Sequence, residues 1–173
     1  PRRWPQTIQT TITHGGATPY AVDKIGLPMD NPWRVPIFAG GVGFLADGSA
    51  LVCTMHGDVW RVRGFRYPSR QASWTRYASG LHHCQGLVVS ADGVFVLGRD
   101  QITRLWDLND DGEADYYECF SNAFVTSPAG HDFVCGLERD KHGNFYLASG
   151  NQGIVRISAD GEMIAAGSDK VYL

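Results

Sequence analysis

Residues 41–62 read GVGFLADGSALVCTMHGDVWRV, residues 85–105 read QGLVVSADGVFVLGRDQITRL, and residues 134–157 read VCGLERDKHGNFYLASGNQGIVRI. Each segment runs apolar strand, Asp-Gly or His-Gly turn, apolar strand, polar loop, and then a strand holding an arginine among β-branched or apolar residues. The turn glycines Gly48, Gly93 and Gly143 lie 45 and 50 residues apart, and Arg61, Arg104 and Arg156 lie 43 and 52 apart. Self-similarity at ~45 residues with several strands per unit is the signature of a β-propeller blade. A glycine at each turn supplies the positive φ that a tight hairpin needs. A fourth strand fits each unit at 72–79, 114–121 and 162–167. Helical periodicity is not sustained anywhere.

The fold class is therefore all-β, a partial β-propeller of about three four-stranded blades at 38–80, 81–129 and 130–173. Propellers close with roughly four to eight blades, and an open fan leaves sheet faces and edges uncovered. The expectation is a piece of a six-bladed ring, closed by the remainder of a longer polypeptide or by another chain. Residues 1–37 do not match the repeat. They are expected as an extended segment packing on the propeller, with strands at 6–13 and 33–38.

Composition agrees with many short elements: 21 Gly and 8 Pro are spread along 173 residues, and 43% of the chain is hydrophobic. A net charge of −3 argues against a nucleic-acid footprint or a polybasic membrane patch. No apolar run approaches the ~18 residues of a membrane span. Cys53, Cys84, Cys119 and Cys135 form no CxxC or CxxCH spacing, so neither a zinc ribbon nor covalent haem attachment can be read in this segment. Buried thiols and disulfides both remain compatible with them.

Blade geometry gathers scattered polar residues. Residues just before the first strand of a blade share a rim with those just after its second, while the Asp-Gly turns lie at the other rim. One rim thus collects His56 and Asp58, then His82, His83, Gln85, Arg99 and Asp100, then His131, Asp132, Asn151 and Gln152. Such a convergent polar set is what a ligand pocket at a channel mouth uses. Loop polarity alone accounts equally well for any single one of these histidines.

On the opposite rim, Asp107, Asn109, Asp111 and Asp115 surround Gly112 in the spacing D-x-N-x-D-G, the first part of a calcium loop. The twelfth loop position, Glu118, falls inside the next strand. A structural Ca²⁺ and a hydrogen-bonded Asx turn are both open readings. Trp60, Trp106 and Phe145 are expected between blades.

Residues 130–153, GHDFVCGLERDKHGNFYLASGNQG, resemble the His-plus-hairpin segment of soluble PQQ-dependent glucose and sorbosone dehydrogenases. That resemblance implies His131 as the general base that takes a substrate hydroxyl proton while hydride passes to the quinone. An imidazole that is neutral near pH 7 suits the role. His56, His83, Gln85, Arg99, Asp132, Asn151 and Gln152 would line the substrate or cofactor pocket. Gly130 and Asn151 stand where that pattern has acidic residues.

Over residues 1–160 the chain is similar to bacterial membrane-bound-dehydrogenase-type propellers, the PVC-type haem-binding CxxCH family. The similarity rests on PRRWPQTIQTTIT, PYAVDKIGLPMDNPW, VCTMHGDVWRV and VLGRDQITRLWDLNDDGEADYYECF. It implies a periplasmic or secreted sugar or polyol dehydrogenase, PQQ and Ca²⁺ as cofactors, a carbohydrate substrate and a cytochrome c partner domain. Two other classes stay open: a non-catalytic propeller binding a saccharide or a partner protein, and an architectural subunit of a larger complex.

Overall fold

The computed structural model describes residues 1–16, 18–126 and 133–167. Fourteen strands and no helix are found among these residues, as the repeat requires. The first sheet is built from β1 (Thr7–Thr13), β2 (Lys24–Ile25), β3 (Ala39–Phe44), β4 (Ala50–Thr54), β5 (Val59–Arg63) and β6 (Gln71–Ala78) in the order β2-β1-β6-β5-β4-β3. The second contains β7 (Gly86–Ser90), β8 (Gly93–Leu97), β9 (Ile102–Trp106) and β10 (Tyr116–Ser121). The third contains β11 (Val134–Arg139), β12 (Phe145–Ser149), β13 (Gly153–Ile157) and β14 (Met163–Ala166). Every pairing is antiparallel between strands adjacent in sequence except β1 with β6. The chain is a partial propeller of three blades.

Glycines decide how closely the blades approach. The innermost strands β3, β7 and β11 pack side by side, and Gly40, Gly41 and Gly86 face the neighbouring backbone there. The Gly136 amide donates to the Gln85 carbonyl at 3.0 Å, and a Cβ on Gly40 would lie 2.0 Å from the Cys84 carbonyl oxygen. The turn glycines adopt positive φ, 80° at Gly48, 141° at Gly93 and 88° at Gly143, which a side chain would resist.

Alternation along each strand sends one set of side chains into each gap between sheets. Leu51, Cys53, Val59, Leu87, Val94 and Val96 fill the space between the first and second sheets. Phe95, Leu97, Ile102, Leu137, Phe145 and Leu147 fill the next one. In that second gap Phe95, Phe120 and Phe145 form a triad with centroids 4.7 to 5.3 Å apart, and each such pair adds ~0.5–1.5 kcal/mol beyond its burial.

Residues 1–37 diverge from a simple overlay. β1 extends the outer edge of the first sheet through its pairing with β6, and Trp74 Nε1 donates to Thr10 Oγ1 at 2.8 Å across that seam. The expected strand at 33–38 is not formed. Pro32 and Pro36 interrupt the donor series a ladder needs, and Asn31 folds the segment by donating from Nδ2 to the Pro28 and Val35 carbonyls while accepting from the Val35 amide. Its apolar alternation instead serves burial: Ile37, Trp33 and Val35 join Trp60, Val62 and Trp74 on the far face of the first sheet. Trp60 therefore lies under the N-terminal segment rather than between blades.

Candidate active site at one rim

The β4–β5, β8–β9 and β12–β13 loops and the approaches to β7 and β11 emerge at the same end of the fan. This follows from antiparallel strands that begin and end together. The β8–β9 loop, Gly98–Gln101, is tied to the approach to β7 by the Arg99 amide donating to the His82 carbonyl at 2.9 Å. The rings of His82 and His83 lie 4.4 Å apart, His83 lies 5.8 Å from Phe133, and the Arg99 guanidinium sits 5.2 Å from the Phe133 ring centroid. His82 Nδ1 is 3.9 Å from an Asp100 carboxylate oxygen. His56 stacks on Phe38 at 5.3 Å.

His83 is the most constrained member of this group. Its backbone adopts φ 48°, the left-handed region that a histidine enters at a cost, and such outliers concentrate at functional sites. Burial, followed by the charges of His82, Arg99 and His56, holds its imidazole below the ordinary histidine pKa. The ring is thus neutral at pH 7. Its Nδ1 is shut off from solvent without a hydrogen-bond partner among the described residues.

The remaining residues expected at this rim divide by role. The Gln152 side-chain oxygen accepts from the Val125 amide at 2.6 Å, and Thr126 Oγ1 donates to the Arg99 carbonyl at 3.2 Å, so Gln152 helps fasten the 122–126 loop across the second and third sheets. Gln85 bridges the inner strands through its own backbone. The Asn151 amide donates to Ser149 Oγ at 3.3 Å. Asp58 is buried and bonded to Arg76 at 2.7 Å, with the guanidinium packed on Trp33 and Trp60, so it belongs to the core and not to the rim surface. His131 and Asp132 lie outside the described residues.

At the other rim the Asp107 carboxylate accepts from the Asp111 and Gly112 amides at 3.1 and 2.8 Å. Asn109 Oδ1 accepts from the Asp111 amide, Asp111 Oδ1 from the Glu113 amide, and Asp115 Oδ2 from the Leu108 amide. The Asn109 side-chain amide adds a further bond, donating from Nδ2 to Asp115 Oδ1 at 3.3 Å. Glu118 points away, accepting from Trp106 Nε1 at 2.9 Å. No group of three or more His, Cys, Asp or Glu side chains among the described residues is arranged to hold a metal ion. The side-chain oxygens of Asp107, Asn109, Asp111 and Asp115 all accept from amide groups of their own loop.

Two features escaped the sequence. Phe133 and Phe38 place aromatic faces beside the histidines; the signal was an aromatic residue just before an inner strand, ahead of β3 and of β11. The second is a clamp on Glu113, which is buried and accepts from Arg2 Nε at 3.0 Å and from the Arg3 and Trp4 amides at 2.6 and 2.9 Å. All four cysteines are free thiols.

No family model matches this chain, and no curated protein matches it. Among solved structures it resembles one from Thermus thermophilus, assigned as an oxidoreductase (glucose dehydrogenase), at 19% identity and a TM-score of 0.57 over 73% of this chain. The likeness shows the fold, a β-propeller of the kind found in that oxidoreductase. The match spans 45% of that protein's length. No helix among the described residues is long and apolar enough to cross a membrane.

Proposed function

We propose that this chain supplies the sugar-facing rim of a dehydrogenase-like propeller acting outside the cytoplasm on a sugar or polyol. The observation that carries the reading is the cluster of His82, His83, Arg99 and Phe133 at one end of the inner strands. An aromatic face and the neutral His83 imidazole suit a polyhydroxylated ligand, since the ring covers its C–H surface while nitrogens exchange hydrogen bonds with its hydroxyls. His131, two residues before Phe133, is the base that takes the hydroxyl proton.

The hydride acceptor in this reading is a quinone such as PQQ. Its three carboxylates require several cations, and Arg99 is the one guanidinium among the described residues named at this rim. The residues present do not fit PQQ by themselves. Calcium, a cytochrome c partner and the extracytoplasmic address likewise belong to the proposal.

The test is dye-linked dehydrogenase activity of the full-length protein with PQQ and Ca²⁺ across a panel of sugars and polyols, beside His131→Ala and His83→Ala. The expected result is turnover that His131→Ala lowers by ~10²–10⁴, the range of general-base catalysis. Saccharide binding without turnover, weakened modestly by His131→Ala, would replace this reading with a non-catalytic lectin-like one.

A further inference from the structure

Arg61, Arg104 and Arg156 occupy one position of the repeat, on the third strand of each blade, and two residues further on stand Arg63, Trp106 and Ser158. In the second blade the Trp106 ring covers Arg104, with its centroid 3.9 Å from the guanidinium carbon. The first blade has a second arginine in place of that ring. The β5–β6 loop then adds Arg66 and no carboxylate, where the β9–β10 loop carries Asp107, Asp110 and Asp111. The repeat does not require this basic pair. Core packing does not require it either, since Arg63 and Arg66 are both exposed.

The two arginines line one pocket of about 400 Å³ at the turn rim, with Ser49, Phe65 and Ser69 in its walls. Arg66 folds over the β3–β4 turn, where a Cβ on Gly48 would lie 2.9 Å from the guanidinium carbon. Arg61 Nη1 and Arg63 Nη2 lie 3.4 and 3.9 Å from the position that a Cβ on Gly112 would take, so two like charges converge beside the Asp-rich loop. The Asp47 carboxylate at the pocket is already engaged, by Arg61 Nη2 at 2.7 Å and by the Ser49 hydroxyl and amide. Neither the Arg63 nor the Arg66 guanidinium has a hydrogen bond or ion pair among the described residues. Desolvation, then the Arg61 charge, pushes Arg63 below the ordinary arginine pKa against the opposing charge of Asp47. Positive charge is therefore left uncompensated here.

The geometry points to a binding site for a phosphate group, free or as a monoester, between Arg63 and Arg66. Two guanidinium groups without a counter-ion match the charge of roughly −1.5 to −2 that a phosphomonoester carries at pH 7. Each guanidinium presents a planar fork that engages two oxygens of one anion. Two forks are served by the three terminal oxygens of a phosphate and not by the two of a carboxylate. The Ser49 and Ser69 hydroxyls already donate within the protein, to Asp47 and to the Gln71 carbonyl, so recognition rests on the arginines. Phe65 supplies an apolar wall for the organic part of an ester. The pocket lies at the opposite end of the stack from the histidines and does not depend on the dehydrogenase reading.

Calorimetric titration of the full-length protein at constant ionic strength tests the site with inorganic phosphate, phenyl phosphate and benzoate. Both phosphates are expected to bind with a dissociation constant at or below ~1 mM, and benzoate at least ~10-fold more weakly. Arg63→Gln and Arg66→Gln should each weaken the phosphates at least ~10-fold, as loss of a charge-assisted fork does. Arg70→Gln, an exposed arginine of the same loop outside the pocket, should leave binding unchanged. Tighter binding of phenyl phosphate than of inorganic phosphate assigns the site to an ester, and equal binding assigns it to the free ion. Three results would overturn the proposal: neither phosphate binding, benzoate binding as tightly as the phosphates, or Arg70→Gln losing as much affinity as Arg63→Gln.

Discussion

Replacing Gly40 by alanine probes the contact on which the rim depends. The added Cβ would lie 2.0 Å from the Cys84 carbonyl oxygen, 3.0 Å from its carbon and 3.1 Å from Gln85 Cα. Ordinary non-bonded contact is roughly 3.5 Å, so β3 and the approach to β7 must separate by more than ~1 Å. Overpacking costs ~1–3 kcal/mol when side chains can yield. Here only backbone can yield, which puts the loss at about 3 kcal/mol or above. At ~2–4 °C per kcal/mol for a chain of this size, the midpoint of thermal unfolding falls by roughly 6–12 °C. The displaced carbonyl belongs to the residue after His83, so ligand affinity at the rim should fall as well. Circular-dichroism melts of Gly40→Ala are read against Gly16→Ala, whose Cβ would meet nothing within 4 Å. A Gly40→Ala midpoint within 2 °C of the parent, with ~2 °C as the least shift that 1 kcal/mol produces, would refute the close-approach argument.

The Ser49 hydroxyl and amide, with Arg61 behind them, hold the Asp47 carboxyl down at about 2 against an ordinary 3.8. Because the folded value is the lower one, this stabilisation is complete above pH 3.8 and is lost as pH falls toward about 2; Asp47→Asn should flatten the acid limb of a urea-midpoint profile in that window, and an unchanged limb would contradict it. Burial pushes the Cys53 thiol up to about 12 and raises Cys84 as well, so iodoacetamide at pH 8 should modify exposed Cys119 and spare both of these in the native protein, as peptide mapping will show. Removing the buried carboxylate by Glu113→Ala should cost about 3 kcal/mol in urea unfolding, since it leaves two amides and a guanidinium unpaired, and should open the first residues to limited proteolysis; resistance equal to the parent's would exclude the clamp.

Much of the architecture was legible because it is written locally. The spacing of Gly48, Gly93 and Gly143 places three hairpins, and period-two alternation around them places their strands. The readings that failed were those in which a local pattern served a distant partner. Alternating apolar residues at 33–38 looked like a strand, yet they are buried against Trp60 and Trp74 from a proline-interrupted loop. Asp58 sat in a rim loop by sequence, but its carboxylate turns inward to Arg76.

Which residues become strands, where they turn and which end of each blade carries the histidines are properties of short segments, set by steric preference at glycine and by side-chain alternation. Which histidines meet, which carboxylates are buried and how tightly β3, β7 and β11 approach depend on contacts between residues tens of positions apart. Glu113 and Arg2 are separated by 111 positions, and no periodicity within a blade encodes that encounter. It exists because packing the sheets one on another brings chain ends and loops together, and burial then makes each unpaired polar group costly enough to select its partner.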